Sequence, residues 1–471
     1  MAENDQIAAP PLQDETPTSA MDEETRLRPE FVDRVLNAVD AGDDETARKL
    51  VAPLHPADVA DLIELAARDE REGLVKALAG IVSPDVLAEM NEYVREDLLD
   101  ELEPQQVADI AGQLETDDAV ALIEDLDRDD QQAVLRAMEP DDRAAVEEAL
   151  GYPEESAGRL MQRDLCAVPE HWNVGQVIDY LRSTADLPTD FWEVFVVSPD
   201  HHPVGTCKLS TILRTSRTTP ITAIMKRDQT LIPVDMDQED VALRFQKYAL
   251  VSAAVVDGAG RLVGMITVDD VVHIIQEEAG EDVLLLAGAG EGDINEPIRL
   301  TVRTRLMWLL VNLPTAMLAA SVVHLFDSEI AKFAVLAVLM PIVAGMGGNA
   351  GTQTLAVAVR ALATNQLTES NTIRAFGREL MIATANGLSL GTLIGAGTAL
   401  IFHNPLLGAV MGAAMVINNL VAGLAGVMVP ITLDRLRIDP AVSSAVFVTT
   451  CTDCLGFLSF LGLATLVGLG R

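Results

Sequence analysis

The 471-residue chain carries 72 acidic and 33 basic side chains, a formal net charge of −39 at pH 7. Residues 1–297 hold 65 of the acids and 23 of the bases, whereas residues 298–471 hold 7 and 10, so the negative charge belongs to the N-terminal part. Such an excess attracts multivalent cations and excludes nucleic acid as a partner, while the length allows two or three domains.

The first 155 residues predict a tail followed by short helices. Residues 1–26 are rich in Pro, Ala, Asp, Glu and Thr and have no apolar core, so we expect a disordered tail without a signal peptide and a cytosolic N-terminal part. Residues 27–155 repeat a phrase in which Pro or acidic residues precede Leu, Val and Ala at helical spacing. This pattern predicts an acidic, all-α helical solenoid.

Residues 156–276 predict an α/β region with an internal duplication. Strand-like runs at 191–197 and 253–257 are each followed by a second strand and a helix, and the arrangement resembles a pair of CBS motifs. In that family, residues at the spacing of Gly264, Thr267 and Asp270 can hold an adenosine ribose, so an adenine nucleotide such as ATP is a candidate ligand. A helix cap is the alternative role for Asp270.

Residues 277–300 predict a connecting helix. An acidic segment, 276–282, is followed by an apolar one, 283–286, and both lie between the CBS pair and the first apolar span. A helix in this position can press on a pore mouth, so we interpret it as a plug-like gate lever.

Residues 301–471 predict a transmembrane domain with five helices. Apolar spans long enough to cross a bilayer lie near 306–326, 331–359, 380–402, 405–433 and 441–469. Pro341 and the glycine-rich run 345–351 predict a break or kink in the second span. Eight arginines flank one side of the spans and only Lys332 and Arg471 the other, which places the N-terminus in the cytoplasm and the C-terminus outside. Five helices are too few to enclose a pore comfortably, so we expect a homodimer.

Asp453 is the only charged residue between Asp439 and Arg471. A carboxylate inside a membrane span costs several kcal/mol unless water, a cation or a donor meets it, so Asp453 is a candidate functional residue. Cys451 and Cys454 bracket it, and close helix packing explains this pair better than a zinc or redox site.

The membrane motifs resemble those of the MgtE magnesium channel family. The resemblance rests on residues 341–353, on 360–363, on 439–441 and on 450–456, in the expected domain order. It implies a homodimer with a pore lined by the second and fifth helices, with Mg²⁺ held at Asp453 and a further metal position at Asp439. Carbonyls of the Gly345–Gly351 break and the amide oxygens of Asn349 and Gln353 are candidate pore-lining groups, although both amides could instead pack against a neighbour, the interpretation that we favour for Gln353.

The resemblance also implies regulatory Mg²⁺ sites between the cytosolic domains. By their positions in the sequence, the residues that resemble the family's ligands are Asp85, Asp117, Glu239, Asp270, Glu278, Glu281 and Asp282. Four residues depart from the ligands that relatives can offer there: Ala121, Gln246, Ala249 and His273. Some sensor sites are therefore expected to be missing, shifted or weaker, because Mg²⁺ prefers oxygen ligands.

These patterns together predict a Mg²⁺-selective channel in the bacterial inner membrane, closed by cytosolic Mg²⁺. Two alternatives stay open: a divalent-cation exchanger or exporter coupled to Na⁺ or H⁺, and a nucleotide-sensing membrane regulator without transport. An enzyme is disfavoured, because the sequence contains no nucleophile–base pair, Walker loop or metal-hydrolase motif.

Overall fold

The computed structural model describes residues 20–184, 187–188, 191–289, 292, 294–368, 370–442 and 444–469. The chain forms two compact units, Met1–Ile274 and Ile275–Arg471. Most of the predicted disordered tail, residues 1–19, lies outside the described residues. For residues 20–26 that prediction needs correction: Met21 pairs with Leu27, and Asp22 Oδ1 accepts from the backbone N–H of Arg26 at 2.8 Å. The buried Leu27 anchors this turn.

The first unit begins with ten short helices, as the repeated phrase predicted. They are α1 Pro29–Asp40, α2 Asp44–Val51, α3 Pro56–Leu65, α4 Arg68–Ala77, α5 Pro84–Ala88, α6 Glu92–Leu99, α7 Pro104–Ala111, α8 Thr116–Glu124, α9 Arg128–Ala137 and α10 Pro140–Ala149. Proline occupies the first turn of α1, α3, α5, α7 and α10, where its missing N–H removes no helical bond. Leu62 and Ile63 of α3 and Leu122 and Ile123 of α8 are fully buried in one continuous core.

The CBS pair follows, and it consists of two sheets with the same topology. Its elements are β1 Ala167–Pro169, α11 Val174–Ser183, β2 Glu193–Val197, β3 Pro203–Lys208, α12 Leu209–Arg214, β4 Leu231–Pro233, α13 Gln238–Tyr248, β5 Ser252–Val256, β6 Leu262–Thr267 and α14 Val268–Ala287. In each sheet the first strand runs parallel to the second, which runs antiparallel to the third. The predicted duplication is thereby confirmed.

Helix α14 connects the last CBS strand to the predicted connecting helix. It starts at Val268, directly after β6, and runs without interruption to Ala287. The predicted connector, 277–300, is therefore in its first part a continuation of the last CBS helix. Residues 290, 291 and 293 lie outside the described residues, and the next helix starts at Ile298.

The second unit contains five helices, among the described residues, that are long and apolar enough to cross a membrane. The helices of this unit after α14 are α15 Ile298–His324, a short α16 Asp327–Lys332, α17 Val335–Ala363, α18 Thr372–Ile401, α19 Pro405–Arg435 and α20 Ser444–Val467. Leu339, Met411 and Phe460 belong to the apolar core that joins α17, α19 and α20. The five predicted spans are confirmed.

The predicted break in the second span is wrong. Helix α17 continues through Pro341 and through the whole glycine-rich run 345–351. Backbone groups in a bilayer must be bonded within the segment, which favours an unbroken helix. The glycines have a packing role instead: a Cβ at Gly351 would lie 2.6 Å from Val448 Cγ1 of α20. Ligating carbonyls from an opened helix are therefore absent from this described stretch.

Candidate functional site

Carboxylates of the first unit gather where the first turn of α8 meets the first turn of α14. We call Glu115, Asp117, Asp118, Asp269 and Asp270 the acidic cluster. Charges of other cluster members are among the causes that raise the pKa of Glu115, Asp117 and Asp270, so these carboxylates lie within electrostatic range of one another. The side chains come from the helical solenoid and from the second CBS motif, two segments about 150 residues apart in the sequence.

Four carboxylates of the acidic cluster, those of Glu115, Asp117, Asp118 and Asp270, hold protons more tightly than isolated carboxylates do. Burial, followed by the charge of Asp270, raises the pKa of Glu115 to about 7. The same two causes, in the same order, raise the pKa of Asp117 well above its usual range. Burial raises the pKa of Asp270 to about 6, although a hydrogen bond from Thr267 favours its charged form. A cation bound here would relieve this repulsion.

Asp117 is the carboxylate of the acidic cluster that most clearly lacks a hydrogen-bond partner. Its Oδ1 atom is buried and has no hydrogen-bond partner among the described residues. Asp270 is better satisfied, since its Oδ2 atom accepts from Thr267 Oγ1 at 2.8 Å and from Gln162 Nε2 at 3.3 Å. A buried carboxylate oxygen without a donor costs free energy, so Asp117 favours binding of a cation.

The surroundings of the acidic cluster contain two residues named from the sequence. Burial raises the pKa of Asp118, and the nearby charges of Glu89 and Asp85 add to this effect. His273 and Arg95 act in the opposite direction. Arg95 is also paired with Asp125 at 2.6 Å, so its charge acts on both Asp125 and Asp118. Asp85 and His273 thus lie near Asp118, and the imidazole of His273 offers no oxygen ligand.

The predicted ligands outside the cluster occupy other places. Glu239 lies in the first turn of α13, where Asp237 Oδ1 accepts from its backbone N–H at 2.9 Å. Glu278, Glu281 and Asp282 lie on the later turns of α14, at the spacing that puts side chains on one helix face. The assignment of these four residues as metal ligands stays a prediction.

Asp282 and Asp439 form a second acidic pair, within the second unit. Burial, followed by the charge of Asp439, raises the pKa of Asp282. Asp439 is held by the backbone N–H of Ala441, which donates to its Oδ1 at 2.8 Å. Both residues were named separately from the sequence, and the fold brings them together.

Asp453 lies on α20 within a membrane-spanning segment and is partly exposed. Among the described residues, no hydrogen-bond or ion-pair partner satisfies its carboxylate. An intramembrane carboxylate without a protein partner needs water or a cation. Asp453 is therefore the strongest candidate for contact with an ion inside the membrane.

The other predicted pore-lining residues lie on α17. Gly345, Asn349 and Gln353 are spaced four residues apart, and all three are exposed. Gln353 lines a cavity of about 200 Å³ between α17, α18 and α19, together with Asn386 and Asn419. Asp453 does not line that cavity, so the cavity at Gln353 is not the space that Asp453 borders.

Asn418 of α19 is a residue that sequence reasoning missed. It is fully buried, its Nδ2 donates to Val343 O at 2.8 Å, and its Oδ1 has no partner among the described residues. A Cβ at Gly456 would lie 2.7 Å from Asn418 Nδ2, and Gly347 has even less room. The amide thus fills a gap between α17 and α20. The adjacent pair Asn418–Asn419 in an otherwise apolar span was the available signal.

Within the described residues, no group of three or more His, Cys, Asp or Glu side chains is arranged to hold a metal ion. Mg²⁺ does not require such a group, since it keeps several waters and binds through one or two carboxylates. The unpartnered Asp117 Oδ1 beside Asp270 meets that requirement, as does Asp453. The donor sets therefore fit a hydrated divalent cation.

Three family models match this chain. The MgtE model, a divalent cation transporter, matches residues 340–463; the MgtE intracellular N domain matches residues 54–155; and a CBS domain matches residues 221–277. These ranges cover most of the membrane helices from α17 to α20, the helical solenoid from α3 onward and the second CBS motif, whereas α1, α2 and α15 lie outside them.

Similar proteins carry the same family name. A magnesium transporter MgtE of Enterococcus faecalis is 33% identical over 324 residues, covering 68% of this chain and 71% of that protein. A magnesium transporter MgtE of Thermus thermophilus is 34% identical over 325 residues, covering 68% and 72%. A crystal structure of the cytosolic domain of the Mg²⁺ channel MgtE with ATP is 27% identical, with a TM-score of 0.48, covering 52% of this chain and 99% of that one.

Proposed function

Because this chain belongs to the MgtE family of divalent cation transporters, we propose that it is a Mg²⁺-selective channel for Mg²⁺ uptake. The ion moves down its electrochemical gradient, and binding of cytosolic Mg²⁺ to the first unit closes the pore. The relatives named magnesium transporters support the choice of ion. The unpartnered carboxylate of Asp453 within a membrane helix is the observation that carries the proposal.

Permeation depends on a hydrated ion at Asp453. Mg²⁺ releases its waters reluctantly, so a carboxylate that accepts hydrogen bonds from those waters attracts the ion without trapping it. In the proposed homodimer two copies of Asp453 face one pathway. The membrane potential supplies about 2.3 kcal/mol per elementary charge per 100 mV, so uptake of a divalent ion needs no chemical fuel.

Closure depends on the acidic cluster. Without Mg²⁺, its carboxylates repel one another or take up protons, as their raised pKa values indicate. Mg²⁺ between Asp117 and Asp270 joins the solenoid to the CBS pair, and α14 continues from that point into the membrane unit. The ion shifts the equilibrium only through tighter binding to the closed form.

The protein is a multi-pass membrane protein. We place it in the bacterial inner membrane with its N-terminus in the cytoplasm, because the arginines flank one side of the spans. An adenine nucleotide such as ATP remains a candidate ligand of the CBS pair. A ribose at Asp270 would have to replace the bonds from Thr267 and Gln162.

Substitution of Asp453 tests the permeation proposal. Asp453→Asn in the full chain, reconstituted in vesicles, is expected to abolish selective Mg²⁺ uptake, because the amide removes the charge at nearly constant shape. Asp434→Asn, at the exposed end of α19, is the matched control and is expected to retain uptake. Near-normal Mg²⁺ uptake by the Asp453→Asn protein would exclude the proposed role.

The same vesicles separate a channel from an exchanger. Uptake is expected to continue when Na⁺ and pH are equal on both sides and only a membrane potential is imposed. Uptake that stops without a Na⁺ or H⁺ gradient would indicate a coupled carrier instead.

A further inference from the structure

A cavity of about 540 Å³ lies within the second unit, between the end of α14, the first half of α15 and the start of α20. Ala445, Val446 and Thr449 form its α20 wall. Asp453 lies four residues after Thr449, and this spacing puts the two side chains on one helix face, one turn apart. The cavity therefore continues the pathway proposed at Asp453 towards the cytosolic end of α20.

The cavity has room for an ion that keeps its water. Mg²⁺ prefers octahedral coordination by oxygen and releases its waters reluctantly. Six waters take up about 180 Å³, at about 30 Å³ each, which is about a third of the cavity volume. A hydrated Mg²⁺ therefore fits between the walls, and side chains of the walls contact the ion through its waters.

Another wall of the cavity comes from α15, a helix that the sequence analysis did not assign to the pathway. Arg305, Trp308, Leu309 and Asn312 line it. Asn312 lies near the middle of this apolar helix. Its side chain is exposed and makes no hydrogen bond with the described residues. A polar group in hydrocarbon that lacks a partner costs free energy, so Asn312 indicates a polar occupant of the cavity.

Resting on the channel proposed above, we infer that Asn312 is a further ion-contacting residue, on a third pore-lining helix. Its Oδ1 accepts hydrogen bonds from the waters of Mg²⁺ that passes between Asp453 and the cytosol. The charge of the ion polarises these waters and makes them strong donors. Asn312 thereby contributes to permeation although it carries no charge.

The uncharged amide suits the last stage of permeation. Conduction requires a site that binds the ion well enough to admit it and weakly enough to release it. Asp453 provides the charged contact, and Asn312 provides the neutral one that follows. Arg305 lies about 10 Å nearer the start of α15 and has no anionic partner among the described residues. Its repulsion of a cation favours release of the ion over storage in the cavity.

Unitary currents of the full-length protein in planar bilayers, with Mg²⁺ as the permeant cation, test the inference. Their amplitude is measured within open periods, so closure by cytosolic Mg²⁺ does not affect it. Asn312→Leu removes the oxygen at similar size and is expected to lower the amplitude about fivefold, the equivalent of one hydrogen bond. Ser321→Ala is the matched control on the same helix and is expected to change nothing. Ser321 Oγ already donates to Met317 O at 2.8 Å, and Ser321 does not line the cavity.

Asn312→Asp distinguishes ion contact from packing. It keeps the shape of the side chain and adds a negative charge, so half-maximal current is expected at a lower Mg²⁺ concentration. A packing role would not produce that shift, and this variant provides the test if Asn312→Leu does not fold.

Normal amplitude in Asn312→Leu, or equal loss in Asn312→Leu and Ser321→Ala, would overturn the inference. So would an unchanged half-maximal concentration in Asn312→Asp. If the unmodified protein gave no unitary Mg²⁺ current, the channel proposal itself would be wrong, so the two failures are distinguishable.

Discussion

The buried amide of Asn418 joins the two helices that carry the candidate ion-contacting residues. Its bond to Val343 O reaches α17, and the missing side chain of Gly456 lets it approach α20. Asp453 lies three residues before Gly456, one helical turn away. A buried amide whose Nδ2 is bonded and whose Oδ1 is unpartnered lowers the stability of the fold. Because the protein tolerates this cost beside the helix that carries Asp453, we interpret Asn418 as a positioning residue for Asp453.

Asn418→Ala is expected to destabilise the protein by about 2–3 kcal/mol, since a buried hydrogen bond is lost and a cavity is left. It is also expected to weaken discrimination between Mg²⁺ and larger divalent ions, measured as competitive uptake in vesicles. Asn419→Ala is the matched control, because Asn419 Nδ2 bonds Met415 O within its own helix at 2.9 Å. Equal selectivity in the two variants would refute the positioning role.

Two glycines of α20 offer a sharper comparison. A Cβ at Gly456 would meet Asn418 Nδ2 at 2.7 Å, whereas a Cβ at Gly462 meets nothing within 4 Å. Gly456→Ala is therefore expected to cost about 1–3 kcal/mol through overpacking and to reduce Mg²⁺ uptake. Gly462→Ala should be tolerated. Thermal unfolding in detergent and vesicle uptake measure both effects, and a tolerated Gly456→Ala would contradict the packing described here.

Asp453 and Asn418 differ in how far the sequence reveals them. A single charge in an apolar span is visible without a structure, because its solvation requirement is local. The role of Asn418 depends on which glycines of two other helices face it, and no local pattern encodes that. The role of Cys451 was partly predictable. Its side chain packs against the apolar cluster that includes Leu355 and Val359, as the sequence analysis expected from close helix packing.

At the level of secondary structure, the starts of helices α8 and α14 determine where the acidic cluster forms. Each starts with consecutive acidic residues, Asp117–Asp118 and Asp269–Asp270, which the dipole of an isolated helix start would stabilise. The fold brings these two starts together, so residues suited to helix caps become a repulsive cluster. Acidic residues at helix starts were visible in the sequence, but the proximity of Glu115 and Asp118 to Asp270 depends on tertiary structure.

The raised pKa values predict how Mg²⁺ binding changes with pH. Mg²⁺ requires deprotonated carboxylates, and Glu115 and Asp270 have pKa values of about 7 and about 6. Apparent Mg²⁺ affinity is therefore expected to rise between about pH 5.5 and 7.5, with protons released on binding. Calorimetry in two buffers of different ionisation enthalpy measures that release. An affinity independent of pH would contradict the cluster as the binding site.

In the absence of Mg²⁺, the stability of the fold is expected to change with pH in the opposite direction to the Mg²⁺ affinity. A carboxylate whose folded pKa is raised stabilises the fold fully below its unfolded pKa, and this contribution is lost as pH rises through the folded value. Unfolding temperature without divalent cations should therefore fall from about pH 4 towards pH 7. Asp117→Asn is expected to raise it at pH 7 and to weaken Mg²⁺ binding, whereas the exposed Asp141→Asn should do neither.

Element boundaries show where local patterns mislead. Pro341 and the glycines at 345–351 predict a break by their intrinsic preferences, yet α17 is continuous because the membrane and its neighbours favour bonded backbone. The change from CBS motif to connector likewise has no break in secondary structure, since α14 crosses residue 276 without interruption, although the two compact units divide at Ile274 and Ile275. Domain order and the five spans were predictable, because they depend on composition over long windows.

For the whole molecule, the uneven charge is the feature from which the proposed regulation follows. The strongly acidic N-terminal part and the weakly basic membrane part are separate compact units joined through α14. A soluble unit that binds a cation can control a membrane unit only if the ion binds one arrangement of the two more tightly than the other. In the proposed function, the acidic cluster supplies that preference in the first unit, and Asp453 contacts the ion in the second.

Current recording from the purified full-length protein, with Mg²⁺ titrated on the cytosolic side, tests this account most directly. The full chain is expected to close as cytosolic Mg²⁺ rises into the millimolar range, whereas a chain lacking residues 1–276 continues to conduct. Currents of the full chain that ignore cytosolic Mg²⁺, or closure that persists in the shortened chain, would contradict it.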